Sequence, residues 1–430
     1  MGVLRTLAEA GHRSWIVGGS VRDLLLRRPR GSTDQDVATP ARPDEVAALF
    51  RKVVPTGIEH GTVTVVLGGA PVEVTTFRGE GAYEDGRRPS SVTFLGDIDE
   101  DLARRDFTIN ALAYDPLAKE FRDPFGGRAD LRRRILRAVG DPSARFAEDG
   151  LRPLRAARFA AQLGFELEPA TATAIGPALP VVARVSIERV TDELSRLLLA
   201  PHAGRGLLLL EGTGLLSVVL PELAAASPEE RAHAFRTTTA APAELDLRAA
   251  ALLHVLAPGE GEGEGEAARR ARAVLERMRF SGQVREGAAS LVLERRCLAA
   301  AVGSPLPAGE AGVRRFLARV GRALAPKVLA LWEADARAVR PPARSRRERA
   351  ALVAFRKLVK RVERKRPPIS TSDLAVDGAG VMLALGIPPG PSVGEALRHM
   401  LERVLESPAL NTRERLTSEL KSWWAARSTS

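Results

Sequence analysis

At 430 residues, with 45% hydrophobic and 27% charged side chains, the chain has the balance of a folded protein and room for about three domains. Its single cysteine, Cys297, excludes a disulfide framework; no apolar run reaches membrane-spanning length, and the N-terminus lacks a basic-then-apolar leader, so a cytoplasmic protein is expected. Sixty-four Lys and Arg against 53 Asp and Glu leave +11, which points to a polyanionic partner or to genome bias toward Arg, while 4% aromatic residues advertise no stacking platform for single strands.

The first 140 residues mix short β-rich runs with turns and helical stretches. Trp15-Ile16-Val17 reads as a short apolar strand ending at Gly18-Gly19. Thr62 to Leu67 and Val72 to Phe77 read as two alternating strands around Gly68-Gly69-Ala70-Pro71. From about Arg145 the β signal ends. Leu151, Leu154, Phe159 and Leu163 form a helical stripe that Gly164 is placed to stop. Ile187, Val190, Leu194, Leu197 and Leu198 mark a second amphipathic helix before Pro201. The remainder reads as helical. Its Gly259 to Glu266 run is too polar and Gly-rich to pack and is expected to be a linker loop. Arg340 to Arg366 holds 12 basic residues against two acidic ones, as an RNA-facing helix or a solvated helix surface.

Four constellations carry potential chemistry. The first is Gly18-Gly19-Ser20-Val21-Arg22-Asp23 followed by Asp34-Gln35-Asp36. Glycines after a strand let backbone approach a phosphate, and Arg22 offers a fork for its oxygens. Asp34 and Asp36, one residue apart on an extended chain, project to one face, where their repulsion is relieved by a cation such as Mg²⁺. The second is Glu73, alternating with valines; it faces solvent, or it completes a three-carboxylate cluster if its strand neighbours that of Asp36. The third is Arg104-Arg105-Asp106-Phe107-Thr108-Ile109-Asn110, suited to phosphate and ribose contacts, or equally to a helix entry capped by Asp106. The fourth runs from Glu148 to Phe159. There Asp149, Arg152 and Arg155 are spaced to share a helical face that Arg158 extends, as a surface ion pair or as a surface matching the edge of a base. Nine arginines against four acids between Arg128 and Ala160 make this region locally basic.

In this order the blocks resemble the bacterial tRNA nucleotidyltransferase and poly(A) polymerase family, class II of the polymerase-β-like nucleotidyltransferases. The resemblance is densest from Ile16 to Leu199 and includes Thr56 to Thr64 and Asp85-Gly86-Arg87-Arg88-Pro89. It implies an α+β fold: a head with a mixed sheet and helices over 1–138, then an all-α neck (139–200), body (201–366) and tRNA-binding tail (367–430). The implied activity is template-independent addition of CCA to the tRNA 3′ end from CTP and ATP, releasing pyrophosphate. By that resemblance Asp34 and Asp36 hold two Mg²⁺ ions, with Glu73 a further candidate ligand. Gly18, Gly19 and Arg22, with Asp23 beside them, cradle the triphosphate. Arg105, Asp106 and Asn110 address ribose and phosphates. Asp149 and Arg152 pair with the edge of CTP or ATP, and Arg155 and Arg158 add phosphate contacts. Asp123-Pro124-Phe125-Gly126-Gly127 matches the hinge between head and neck, and the helix from Glu188 to Leu199 buttresses the neck.

Within the family, Glu59 to Pro89 resembles the tRNA-specific branch, and the strongly basic signature of poly(A) polymerases after the acidic pair is missing. A loop segment spanning Phe77 to Val92 disfavours a CC-only enzyme but leaves A addition alone open. Some relatives carry a metal-dependent phosphohydrolase module; here His254 is followed by Val255 where that module has an Asp, so a core histidine and no second hydrolytic site are expected. The stretch from Asp373 to Pro391 resembles the tail that grips tRNA, and reads otherwise as a helix–loop–helix packed by Leu385, Leu397 and Leu401. A non-catalytic RNA-binding protein is the alternative of another class, disfavoured by the intact Asp34 and Asp36.

Overall fold

The structure is a computed structural model that describes residues 1–28, 35–58, 61–80, 92–256, 265–294 and 306–428. The chain forms two compact units, residues 1–227 with 274–281, and residues 228–273 with 282–430. Asp34, Glu59, the Asp85 to Pro89 block, most of the Gly-Glu run and Cys297 lie outside the described residues.

The first unit is built on a seven-stranded sheet. Its strands are β1 (Trp15–Val17), β2 (Gln35–Thr39), β3 (Val53–Gly57), β4 (Thr62–Leu67), β5 (Ala70–Thr76), β8 (Ala113–Asp115) and β9 (Glu120–Arg122), in the order β3-β4-β5-β2-β1-β8-β9. A separate ribbon pairs β6 (Arg78–Glu80) with β7 (Val92–Phe94). The β2–β5 pair is parallel and the sheet's other pairs are antiparallel, so this is a mixed sheet. The β4–β5 hairpin forms because the valines alternate with polar residues and Gly68 and Gly69 take the positive φ of the turn.

Alternation divides the sheet into two cores. Val37, Val63, Val65, Val72 and Val74 face helix Gly2–Glu9 and helix Pro43–Leu49, burying Val3, Leu4, Leu7 and Val46 against them. Trp15, Val17 and Ala38 face the other way, with Phe77, Ile98, Leu102 and Val139. Asp36, two residues before Ala38, therefore projects from this second face.

The neck follows as helices. Helix Arg152–Leu163 ends at Gly164, whose φ of +70° supplies the left-handed stop, and helix Ile187–Leu199 packs beside it. One detail departs from the sequence reading: strand pairing persists past Arg145, with Glu166–Leu167 lying parallel to Ile135–Leu136.

The second unit is helical among its described residues. Arg340 to Arg366 contains the 23-residue helix Pro342–Arg364, which buries Leu352, Phe355, Val359 and Val362 and leaves most of its basic residues outward. Phe355 joins Phe316 and Trp332 in an aromatic cluster. The tail packs Val381, Ala396, Met400, Val404, Leu416 and Leu420, with Leu385 and Leu397 at its margin; Leu401 is half-buried. His254 is buried in the core, as expected from its helix, and His233 and Asp335 converge on it from two other helices.

Candidate active site

The strand β1 ends at Gly18, whose φ of +65° and ψ of −130° turn the chain directly into helix Gly19–Leu25. A Cβ built on Gly18 would lie 2.7 Å from Arg105 Nη1 and 3.8 Å from Asp36 Oδ2. Three of the expected site residues thus meet at one point. Only a glycine lets backbone, guanidinium and carboxylate come this close.

Asp36 sits directly opposite Glu73 in the parallel β2–β5 pair. Partners in a parallel register project to the same face about 4.8 Å apart, so the condition placed on Glu73 in the sequence holds: its strand neighbours that of Asp36. Hard oxygen donors side by side, next to an arginine and an open glycine turn, fit a divalent Mg²⁺ and its triphosphate.

Arg105 is held from below. Asp101, 1% exposed on helix Ile98–Ala103, accepts from Arg105 Nη2 at 3.1 Å and from Arg104 Nη2 at 2.9 Å. Burial pushes the Asp101 carboxyl up, but the charges and hydrogen bonds of Arg105 and Arg104 outweigh it and hold it below the ordinary range. Asp101 went unnoticed in the sequence, though its i,i+3 and i,i+4 spacing to the two arginines was visible.

From Arg22 a chain of polar contacts runs into the neck. Arg22 grips Asp23 with Nε and Nη2, each at 2.9 Å, and donates from Nη1 to Asn110 Oδ1 at 2.7 Å. Asn110 in turn donates to Asp106 Oδ1 at 3.0 Å, and Arg155 Nε donates to Asp106 Oδ2 at 2.7 Å. Burial would raise the Asp106 carboxyl, but the Arg155 charge and the hydrogen bonds from Asn110, Arg155 and the Phe107 N–H bring it down to about 2. Asp106 caps no α-helix; a 3₁₀ turn, Thr108–Asn110, follows it.

Arg158 is engaged inside the protein. It is 6% exposed, donates to the buried Glu193 and, at 2.8 Å, to Gln162 Oε1, and lies 4.0 Å over the Phe159 ring. A cation this buried requires an internal counter-ion, and Glu193 is that ion. Arg155 is shared between Asp106 and Glu193, the latter at 3.7 Å. Glu193 interrupts the apolar stripe Val190, Leu194, Leu197, Leu198 on helix Ile187–Leu199, and a charge in such a stripe was the sequence signal for it.

Asp149 and Arg152 do not share a helix. Asp149 has extended backbone (φ −141°, ψ 109°) and the helix begins at Arg152, because Pro153 belongs in a first turn. Gly150 makes the bend possible: a Cβ there would lie 2.6 Å from the Val181 carbonyl oxygen. Asp149 Oδ1 accepts from the Leu151 N–H at 2.9 Å, and Arg189 Nη2 reaches both carboxylate oxygens at 3.0 and 3.3 Å. Arg152, 6% exposed, is fixed by Glu148 and by the carbonyls of Arg145 at 2.9 Å and Arg104 at 3.0 Å. Each side chain is thereby held in one orientation, and the Arg104 contact ties Arg152 to the arginine pair beside Gly18. Nothing in the local spacing announced Arg189.

A family model described as the poly(A) polymerase head domain matches residues 14–137, and one described as the probable RNA and SrmB-binding site of polymerase A matches residues 164–227. The CCA-adding enzyme of Geobacillus thermodenitrificans (strain NG80-2) is 40% identical over 418 residues, 97% of this chain and 94% of that protein. The crystal structure of the Bacillus stearothermophilus CCA-adding enzyme in complex with CTP is similar at 34% identity and a TM-score of 0.75, covering 100% of this chain and 97% of that one. The Thermotoga maritima CCA-adding enzyme complexed with tRNA, 20% identical with a TM-score of 0.66 over 98% of this chain and 94% of that one, shares the fold. The chain belongs to the CCA-adding enzyme family of nucleotidyltransferases.

Proposed function

We propose that this chain adds CCA to the 3′ end of tRNA, without a nucleic-acid template, from CTP and ATP. The observation that carries the reading is the convergence of Gly18, Asp36 and Arg105 at a turn that only glycine accommodates, on a chain aligned end to end with CCA-adding enzymes. Asp36, with Asp34 two residues earlier and Glu73 opposite, would hold Mg²⁺. Bound there, Mg²⁺ supplies charge neutralisation at the triphosphate and acidifies the primer hydroxyl.

The protein's own groups do the placing. The N–H groups at the start of helix Gly19–Leu25, together with Arg105, face the phosphates, and Asp101 keeps the Arg105 guanidinium aimed at them. Arg22 and Asn110 form the wall beside the ribose, and Asp106 orients Asn110.

Base choice follows from donors and acceptors. Cytosine and adenine both present an amino donor beside a ring-nitrogen acceptor, whereas uracil and guanine present the reverse. A carboxylate at Asp149 accepts from the amino group, and the Arg152 guanidinium donates to the ring nitrogen. Both partners are pinned by other groups, so the pair acts as a fixed edge in the role a template base would have.

The reading is tested by supplying purified protein and Mg²⁺ with a tRNA lacking CCA, together with CTP, ATP or both. Two C additions with CTP and a completed CCA with both are expected. Incorporation of A only onto CC-ended tRNA would assign an A-adding enzyme instead, and long tails on unrelated RNA would assign a poly(A) polymerase.

A further inference from the structure

Helix Ile98–Ala103 stands on the sheet face from which Asp36 projects, with Ile98 and Leu102 buried among Trp15, Val17 and Ala38. The Asp97 side chain caps its first turn, accepting from the Asp99 N–H at 3.0 Å. Asp101, Arg104 and Arg105, spaced i, i+3 and i+4, therefore share one side of an anchored platform.

The two oxygens of Asp101 are divided between the two arginines. Oδ1 accepts from Arg104 Nε at 3.0 Å and Nη2 at 2.9 Å, whereas Oδ2 accepts from Arg105 Nη2 at 3.1 Å. Each arginine leads to a different part of the site. Arg105 brings Nη1 to the Gly18 turn, on the side of the triphosphate. Arg104 leads to the base through its backbone: its carbonyl, at the C-terminal end of the helix, accepts from Arg152 Nη2 at 3.0 Å.

Two points fix the plane of the Arg152 guanidinium. Nη1 donates to the Arg145 carbonyl at 2.9 Å and to Glu148, both on helix Pro142–Glu148, while Nη2 donates to the Arg104 carbonyl. About the first point alone the plane can turn; the second stops it. The direction of the Arg104 carbonyl comes from the helical backbone of that residue (φ −84°, ψ −6°), at the end of a helix only six residues long. Such ends fray, and the contact from Asp101 to the Arg104 side chain ties this one down.

We infer that Asp101 is a positioning residue for both halves of nucleotide recognition. Through Arg105 it aims the grip on the triphosphate, and through the Arg104 carbonyl it sets the angle at which Arg152 meets the base. At 1% exposure it acts only through these groups. The inference rests on the roles proposed for Arg105, Asp149 and Arg152, and it makes base choice depend on a side chain that does not face the base.

Equilibrium binding to the full chain in Mg²⁺ tests both arms without turnover. CTP and UTP report the base edge, and inorganic tripolyphosphate, which carries no base, reports the grip. Asp101→Asn keeps the size but offers one acceptor oxygen to two arginines. It should weaken tripolyphosphate about tenfold and lower the CTP-to-UTP affinity ratio about tenfold, inside the roughly hundredfold that a 1 Å misplacement costs. Arg104→Met keeps the side-chain stem and leaves Asp101 to Arg105. It should lose the same selectivity while tripolyphosphate binding stays near the wild-type value. General destabilisation lowers the binding-competent fraction and scales every affinity together, so it leaves the CTP-to-UTP ratio unmoved. Either quantity unchanged in a folded Asp101→Asn chain would overturn the proposal. So would an unchanged ratio in Arg104→Met, whether or not the Asp101 variant folds. A wild-type chain that binds UTP as well as CTP would overturn the roles of Asp149 and Arg152 themselves, and the proposal with them.

Discussion

Asp106 and Arg155 form a part-buried ion pair, Arg155 Nε to Asp106 Oδ2 at 2.7 Å, that fastens the loop behind the head sheet to the first turns of helix Arg152–Leu163. The Asp106→Asn variant keeps the shape and removes the charge. It should cost about 2 kcal/mol in denaturant unfolding, less than for a fully buried pair because the Arg155 side chain is about one-third exposed. The sign with pH is definite. A carboxyl held down to about 2 contributes stability that is present above the ordinary aspartate range and is lost as pH falls from about 4 to about 2. Acid unfolding of the variant should show a shallower decline across that window. An identical acid profile would remove the pair from the account.

Glu193 is the anionic hydrogen-bond partner of the buried Arg158 side chain, and it also approaches Arg155. Glu193→Gln should destabilise by roughly 3 kcal/mol, because it strands a buried cation. Replacing both partners together, Glu193→Leu with Arg158→Met, should recover much of that loss. Recovery by the double variant separates an ion-pair effect from a packing effect.

Gly18→Ala places a methyl group in the space of the Arg105 guanidinium and a side chain at a φ of +65°. The backbone strain is about 1–3 kcal/mol. Arg105 is tethered by Asp101 and cannot simply swing away, so the loss should appear mainly as a weaker apparent affinity for both nucleoside triphosphates. Steady-state kinetics on a CC-ended tRNA with ATP would show it; unaltered KM and kcat would mean this turn does not touch the triphosphate.

Arg189→Ala frees the Asp149 carboxylate from a half-exposed partner and should cost at most about 1 kcal/mol of stability. Its effect should fall on fidelity, with misincorporation of UTP rising about tenfold, the equivalent of about 1.4 kcal/mol of lost discrimination. One nitrogen, Nη2, contacts both oxygens, so Arg189→Lys should restore most of the selectivity. Competition between CTP and UTP measures both variants.

What could be read from the sequence was local. The strand Trp15–Val17, the hairpin around Gly68 and Gly69, and the helix stopped by Gly164 all follow from alternation, helical spacing and glycine placement within a dozen residues. The acidic pair and the glycine turn were legible for the same reason. The Asp36–Glu73 adjacency required strand order, which alternation does not encode. Arg189 reaches Asp149 across 40 residues and His233 reaches Asp335 across 102, and no spacing rule joins such positions. Asp149 precedes the helix that its spacing to Arg152 suggested, and Pro153, which belongs in a first turn, is the local signal of where that helix begins.

The central claim, that the carboxylates opposite Gly18 carry nucleotidyl transfer, is met most directly by comparing wild type with Asp36→Asn on tRNA lacking CCA. Incorporation of CTP and ATP and the binding of that tRNA are measured on the same preparations. The account predicts that incorporation falls by at least about a thousandfold, the scale of losing a metal-dependent charge clamp, while tRNA binding stays within about twofold. Undiminished incorporation by a folded Asp36→Asn chain would contradict it.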